Sequence, residues 1–268
     1  MEIYGKPKKS LGQNFLIDKN IINKIVEIGN INRNKIVVEI GSGYGNLTDA
    51  IIKKNPKKIY AIEKDKQLST LLINKYKNFK KVQIINKDVL NVLQENNFGK
   101  DIIVFGNLPY NVSTKILASL ILCDEWPSWY GNLILMFQKE VAERILAKSK
   151  NKDFSRLTVL ANWRLEIKKH FDISNNCFFP KPKIESTVLS FVPKKTGYYS
   201  LKKPKNLEKI TRILFSNRRK MINKSFLKIF KQNRFIASDL KLDLKLRAED
   251  LNIEMFYKIT KKYEELFC

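Results

Sequence analysis

Val37-Val38-Glu39-Ile40-Gly41-Ser42-Gly43-Tyr44-Gly45 reads as a buried strand running into a glycine-rich turn. The residues after the turn decide the fold. Leu47, Ala50 and Ile51 recur at helical spacing, so Asn46 to Lys54 is an amphipathic helix opened by that turn. Gly41 and Gly43 let the backbone approach a ligand closely. In open α/β sheets ligands bind at such a turn, outside the carboxyl ends of the strands.

Outward from this unit, strands and helices alternate. Upstream, the chain up to about residue 30 is a basic arm and then a helix from Asp18, a plausible N-cap, to Ile28; Lys35 to Ile40 is the first strand. Downstream, Lys58 to Ile62 is a strand ending at Glu63-Lys64-Asp65. A helix from Gln67 to Tyr76 and a strand from Val82 to Ile85, ending near Asp88, come next, then a strand from Ile102 to Gly106. Leu133 to Phe137 reads as a strand, Glu140 to Lys148 as a helix, and Leu157 to Arg164 as another strand. A last strand, Ser186 to Phe191, comes after the proline-punctuated turn Phe179-Pro180-Lys181-Pro182. This βαβ rhythm predicts an α/β fold: a doubly wound sheet with helices on both faces. Pro193 to Lys205, with Gly197, Pro204 and several lysines, reads as a linker; Leu207 to Phe230 and Ala248 to Phe267 read as helices without a strand between them. The expected plan is a sheet domain over residues 1–193, a linker over 194–205 and a small helical domain over 206–268.

With 268 residues, 44% of them hydrophobic, the chain can bury a sizeable core and is no disordered polymer. Its formal net charge of +25 points to a polyanionic partner, because each Lys or Arg placed on a phosphate releases a condensed counterion. Lys outnumbers Arg, and Asn and Ile are abundant, so part of the excess is compositional drift on a solvated surface; the remainder favours nucleic acid over an acidic small molecule. Any single Lys is solvated decoration by default. The clusters Lys6-Pro7-Lys8-Lys9 and Arg218-Arg219-Lys220, with Lys224 beyond, read better as phosphate contacts. The three cysteines are far apart and the single His170 has no metal-ligand companions, so neither a disulfide framework nor a metal site is expected. The charged N-terminus lacks the apolar region of a secretory signal, and no stretch approaches a bilayer span. A soluble, cytoplasmic, reducing setting is expected, and without a heptad or apolar stripe, a monomer.

The acid at the end of the second strand, Glu63, suits the two ribose hydroxyls of a nucleoside cofactor, and Asp88 after the third suits an adenine amino group. The same plan serves NAD. Against it, the loop is Glu-x-Gly-x-Gly-x-Gly rather than Gly-x-Gly-x-x-Gly, and no nicotinamide-specific feature is present. S-adenosylmethionine (SAM), which carries no pyrophosphate, is favoured. Asn107-Leu108-Pro109-Tyr110 at the end of the fourth strand fits a tight turn when taken alone. After a SAM-type sheet it lies where the methyl acceptor should be. There an Asn carbonyl and a backbone carbonyl held rigid by Pro109 accept from a flat exocyclic amine, and Tyr110 stacks on its base. Phe178-Phe179 before Pro180 supplies either a second aromatic for the opposite ring face or a core ring entering a strand.

Several ordered segments then resemble one family, the small-subunit ribosomal RNA adenine N6,N6-dimethyltransferases, whose relatives include resistance methylases of large-subunit RNA. The matching stretches are Lys9 to Leu16, the glycine loop, Asn107 to Asn111, Gln138 to Arg144, Phe178 to Ser186, Asn217 to Lys220 and Arg247-Ala248-Glu249. The resemblance implies a Rossmann-like class I SAM-dependent methyltransferase sheet with a small all-helical C-terminal domain that engages the ribosomal particle. It implies dimethylation of two adjacent adenosines in the 3′-terminal hairpin loop of small-subunit RNA. In that family's pattern Asn14 and Leu16 close over SAM, Gly41 lies on its methionine part, Glu63 on the ribose, Asp88 on the adenine and Asn107 beside the transferred methyl. Tyr110 and Phe178 are the pair expected around the target base. Two rivals stand beside this reading: a resistance-type methylase, and a ribosome-assembly factor whose catalysis is dispensable.

Overall fold

The computed structural model describes residues 7–8, 11–95, 98–196 and 199–268. Lys6 and Lys9 of the N-terminal cluster, Ser10 and Gly197 lie outside the described residues. The chain forms two compact units. One comprises the chain up to Leu120 with Trp126–Ala142 and Glu166–Pro193; the other comprises Ile121–Glu125, Glu143–Leu165 and Lys194–Cys268. The single cut after residue 193 read from the sequence therefore misses that Glu143–Leu165 clusters with the C-terminal helices.

The first unit begins with β1 (Phe15–Leu16) and α1 (Lys19–Ile28). Asp18 caps α1, its carboxylate accepting from the N–H groups of Asn20 and Ile21 at 2.9 and 3.0 Å. Then come β2 (Ile36–Ile40), α2 (Asn46–Lys53), β3 (Lys58–Ile62), α3 (Lys66–Tyr76), β4 (Val82–Ile85), α4 (Val89–Glu95), β5 (Ile102–Asn107) and α5 (Ser113–Ile121). β6 (Tyr130–Gln138), β7 (Leu165–Ile173), β8 (Phe178–Phe179) and β9 (Ser186–Pro193) complete the strands, and the helix α6 (Lys139–Leu146) follows β6. Seven of them form one sheet in the order β4-β3-β2-β5-β6-β9-β7, and β1 pairs with β8 in a separate ribbon. β2, β3, β4, β5 and β6 run parallel, while β9 returns antiparallel to β6.

The central strands carry nearly unbroken apolar runs because helices cover both faces: Val37 to Ile40 and Ile102 to Phe105 are buried residue by residue. The chain leaves β2 toward β3 on one side and returns to β5 on the other. Between β2 and β5 the direction of winding reverses, and a crevice opens at the carboxyl ends of the strands.

The expected strand at Leu157 to Arg164 is instead a helix, α7 (Arg156–Arg164), and the strand β7 begins where it ends. A short apolar run does not distinguish a buried strand from a helix buried on all sides. Here the latter holds, with Thr158, Val159, Leu160, Ala161, Trp163 and Arg164 all buried. A Ser155–Thr158 capping box starts the helix. Arg164 is tolerated inside because Nη1 donates to the carbonyl of Cys123 at 2.8 Å and the guanidinium lies over the Trp163 ring.

The second unit continues with α8 (Pro204–Leu214), α9 (Asn223–Ile229), α10 (Phe235–Asp239) and α11 (Ile253–Phe267). The long helix expected from Leu207 to Phe230 is thus broken, with a single 3-10 turn at Phe215–Asn217. The end of the expected linker is ordered. Buried Glu264 of α11 accepts from the N–H groups of Lys202 and Lys203 and from Asn206, and so caps the start of α8, where Pro204 presets φ. Phe154, Phe215 and Phe256 form an aromatic cluster in this unit, with Phe215 and Phe256 stacked at 5.3 Å.

Candidate active site

The glycine loop is held open from below. The Gly41 N–H donates to the Ile62 carbonyl at 2.9 Å, fixing the end of β2 to the end of β3. Gly41 has φ +75°, and its open α-carbon faces the Asn107 carbonyl, which a β-carbon would meet at 3.5 Å. Gly45, at φ +80°, is required by packing: a β-carbon would lie 2.3 Å from the Tyr76 hydroxyl. That hydroxyl bonds Asp49 in the first turn of α2.

Glu63, 7% exposed, is fixed by two backbone donors, the Gly43 N–H on Oε2 and the Asp65 N–H on Oε1, both at 2.8 Å. Each oxygen keeps a second lone pair for a ligand hydroxyl. Burial raises the Glu63 carboxyl above its ordinary value, against the pull of those two bonds. Asp88 shows the opposite environment. The Lys64 ammonium at 2.8 Å and the Leu90 N–H at 2.9 Å hold its carboxyl below the usual range, so it is an ionised acceptor.

Asn107 closes the far side at the end of β5. Its Nδ2 donates to the Asn14 carbonyl at 2.7 Å, and this orients the amide so that Oδ1 is left as its acceptor. The Pro109 carbonyl is committed to α5, accepting from Val112 and Ser113, both at 3.0 Å. The Leu108 carbonyl is then the backbone acceptor next to Asn107, while the Leu108 side chain, 1% exposed, anchors the turn in the core. Tyr110 is held by a 2.8 Å bond between its hydroxyl and Ser186 of β9, and burial raises its pKa, so the phenol stays neutral.

These residues share one cavity of about 150 Å³, lined among others by Asn14, Gly41, Glu63, Asp88, Asn107 and Tyr110. Leu108 and Pro109 line it as well. Two predicted residues lie elsewhere. Leu16 lines a smaller adjoining pocket of about 30 Å³ with Glu39, Gly41 and Asn107; its carbonyl accepts from Asn46 at 2.8 Å. Phe178 lines neither pocket. It is 3% exposed and lies in the core cluster with Leu16, Met136 and Val188. On so short a strand successive side chains face opposite ways, and Phe179, partly exposed, is on the other face.

Sequence reasoning missed the clasp that fixes the N-terminal arm. Asp65, the N-cap of α3, takes Lys8 Nζ and Gln13 Nε2, each at 3.0 Å. Burial works against ionisation of Asp65, but the bonds from Lys8, Gln13 and the Gln67 N–H outweigh it and hold the carboxyl low. No local signal marks it, because Lys8 and Gln13 lie more than fifty residues from Asp65 along the chain. His170 bonds Ser190 between β7 and β9, a structural contact. Among the described residues no group of His, Cys, Asp or Glu is placed to hold a metal ion, and no helix is long and apolar enough to cross a membrane.

The sheet order, the glycine turn at its switch point and the acids after β3 and β4 define a class I SAM-dependent methyltransferase. Solved structures agree on the fold. A dimethyladenosine transferase from Plasmodium falciparum superposes with a TM-score of 0.74 at 24% identity, over 94% of this chain and 98% of that one. The 23S rRNA methyltransferase ErmE gives 0.67 at 19% identity, over 94% and 99%. The chain belongs to the ribosomal RNA adenine dimethylase family, whose pattern matches residues 5–265. It is 48% identical over 264 residues to the ribosomal RNA small subunit methyltransferase A of Pelagibacter ubique, covering 98% of this chain and 99% of that protein. The protein of the same name from a Wolbachia of Drosophila simulans is 40% identical over 98% of this chain and 96% of its own length.

Proposed function

We propose that this chain dimethylates the N6 amino groups of two adjacent adenosines in the 3′-terminal hairpin loop of small-subunit ribosomal RNA. We further propose that it acts as a monomer on the immature subunit and contributes to its biogenesis. The names of the full-length relatives support the substrate class. One observation carries the chemistry: the Asn107 amide is turned by Asn14 so that its oxygen is the acceptor, within the cavity that Glu63 and Asp88 also line.

The residues fit SAM. The open α-carbon of Gly41 leaves room for the methionine part, the spare lone pairs of Glu63 take the ribose hydroxyls, and ionised Asp88 takes the adenine amine. Asn14 and Leu16 hold the arm across that side. When bound, SAM supplies an electrophilic methyl group on a sulfonium. The protein's work is on the nucleophile. An adenine N6 is a weak one because its lone pair is delocalised into the ring. Asn107 Oδ1 and the Leu108 carbonyl accept its two N–H bonds, draw the nitrogen toward tetrahedral geometry and hold it at attack distance. Pro109 keeps the second carbonyl rigid. The proton released as the new N–C bond forms leaves to water, so no strong base is needed. Tyr110, its ring fixed through Ser186, stacks on a base that must first leave its helix. We assign the opposite face to the Phe178–Phe179 pair, with Phe179 on the outward side of β8.

Methyl transfer from labelled SAM to undermethylated small subunits, with large subunits in parallel and products mapped by mass, tests this reading. Dimethyladenosine at two adjacent positions in the small-subunit 3′ hairpin is the expected outcome. Label confined to large-subunit RNA would move the chain to the resistance-type activity. Binding of both SAM and subunits without transfer would leave the assembly-factor role in its place.

A further inference from the structure

Asp65 lines neither the SAM cavity nor the small pocket beside it, and its side chain is 3% exposed. A carboxylate so deep is costly unless its oxygens are met by donors. Oδ1 accepts from the Lys8 ammonium at 3.0 Å and from the Gln67 N–H at 2.9 Å. Oδ2 accepts from the Gln13 amide at 3.0 Å and lies 2.9 Å from the same Lys8 ammonium. Capping α3 needs the Gln67 bond alone, and a neutral Asn would supply it as well. The rest of the carboxylate serves the N-terminal arm.

Downstream, the arm has its own ties. Phe15 and Leu16 pair with β8, and the Ile17 N–H donates to the Cys177 carbonyl at 2.8 Å. Upstream it forms a small loop, in which the Lys8 N–H donates to Gln13 Oε1 at 2.7 Å and the Leu11 N–H to the Lys8 carbonyl at 3.1 Å. The loop turns at Gly12, φ +63°, so close to the turn after β5 that a β-carbon there would lie 3.2 Å from Asn111 Oδ1. Asp65 ties this loop to the start of α3 through Lys8 and Gln13. The residue after Gln13 is Asn14, whose carbonyl turns the Asn107 amide. On its other side, the Asp65 N–H is one of the two backbone donors that fix Glu63.

The aim of an amide is fragile, because half a turn of the side chain exchanges its oxygen and nitrogen. While the Asn14 carbonyl claims Nδ2, Oδ1 is the acceptor. With the loop released that carbonyl moves, and a turned amide would present Nδ2 to an amine that itself donates. We infer that Asp65 is a positioning residue for methyl transfer, holding Lys8 and Gln13 so that the neighbouring Asn14 carbonyl keeps the Asn107 oxygen turned to the substrate amine. The inference rests on the proposed role of Asn107 as acceptor.

The test uses full-length Asp65→Asn, Asn107→Ala and the double variant in single-turnover methyl transfer to undermethylated small subunits at saturating SAM. An Asn at position 65 keeps an oxygen for the Gln67 N–H and a backbone N–H for Glu63, but turns an NH2 group toward Gln13. The transfer rate is expected to fall about tenfold, with SAM affinity within about threefold and an unchanged melting midpoint, because a small misplacement acts on the reacting geometry. In the Asn107→Ala background the same substitution is expected to cost nothing more, since the amide it aims is gone. Lys8→Met leaves α3 untouched and is expected to lower the same rate by a smaller factor. If Asp65→Asn does not fold, Lys8→Met carries the cycle against Asn107→Ala. A wild-type rate in Asp65→Asn overturns the inference. So does an equal loss in both backgrounds, which would make Asp65 a general support of the arm, or a loss confined to SAM affinity, which would make the arm a cover for the cofactor alone. An Asn107→Ala protein that transfers at the wild-type rate sinks the acceptor reading itself, whereas a slow Asn107→Ala beside a fully active Asp65→Asn sinks only the inference.

Discussion

The crevice at the carboxyl ends of β2 to β5 and the cleft between α8 and α9, lined by Lys209, Arg212, Lys224 and Lys228, both gather polar side chains, but in opposite conditions. In the crevice nearly every polar group is already held: Glu63 by two backbone N–H groups, Asp88 by Lys64, Asn107 by Asn14, Tyr110 by Ser186. In the cleft three of four cations are held by nothing the structure describes. The first condition suits chemistry, where acceptors must be aimed before the substrate arrives and reorganisation raises the barrier. The second suits a polyanion, where affinity comes from counterion release and small displacements matter little. Substitutions in the crevice should therefore act singly and steeply, and those in the cleft additively and through salt.

The steepest effect is expected at a residue that separates the crevice from its supporting core. Phe178→Ala removes a ring buried against Leu16, Met136 and Val188, at a cost of about 3–5 kcal/mol in urea unfolding. Phe179→Ala, on the outward face, should leave the unfolding midpoint nearly unchanged and raise KM for the RNA. A stable Phe178→Ala protein with lost methylation would place Phe178 at the target base.

Asn107→Ala comes next. Losing one of two aimed acceptors should lower kcat by about 10²–10³-fold, the range seen when a single preorganised charge-stabilising group is removed. Binding of RNA should stay within a few-fold, because it resides elsewhere. Single-turnover rates and RNA affinity measured on the same preparation decide it. A collapse of RNA binding would make Asn107 structural, and the contrast between crevice and cleft would fail at its centre.

The crevice was legible in the sequence because its parts are local. A strand, a glycine turn and a helix occupy one continuous segment, and the acids and Asn107 each come directly after an apolar strand, so chain order already places them side by side. Gly41, Glu63, Asp88, Asn107 and Tyr110 all line the one cavity at the strand ends. What escaped depends on contacts remote along the chain. Nothing local says that the Asn14 carbonyl turns Asn107, or that Lys8 and Gln13 reach Asp65. Leu157 to Arg164 misled because complete burial erases the helical period. Arg218 shows the reverse case, since its charge is visible in sequence and its partner Glu249 is not. The cleft needed both helices in place, because neither pair of cations marks a site by itself.

The last test concerns the acid beneath the glycine loop. Glu39 is 2% exposed and accepts from Thr48 Oγ1 at 2.5 Å. Burial, reinforced by Asp49 and Glu63 and opposed by the Thr48 bond, pushes its carboxyl up to about 8 from 4.5. The folded protein thus retains a proton that the unfolded chain releases above about 4.5. The group's contribution to stability is fully present below that pH and is lost as pH rises toward about 8, then stays flat above both values. Glu39→Gln keeps an acceptor for Thr48 and removes the titration. Relative to wild type, the variant should therefore gain unfolding free energy between about pH 5 and about pH 8, whatever its offset at the lower pH. Urea titrations of both proteins at the two pH values measure it. A stability difference independent of pH would mean that Glu39 is already ionised under the loop, its charge met by the backbone rather than suppressed by burial. The crevice would then carry a fixed anion besides Asp88, and its contrast with the cationic cleft would sharpen into one of sign as well as of order.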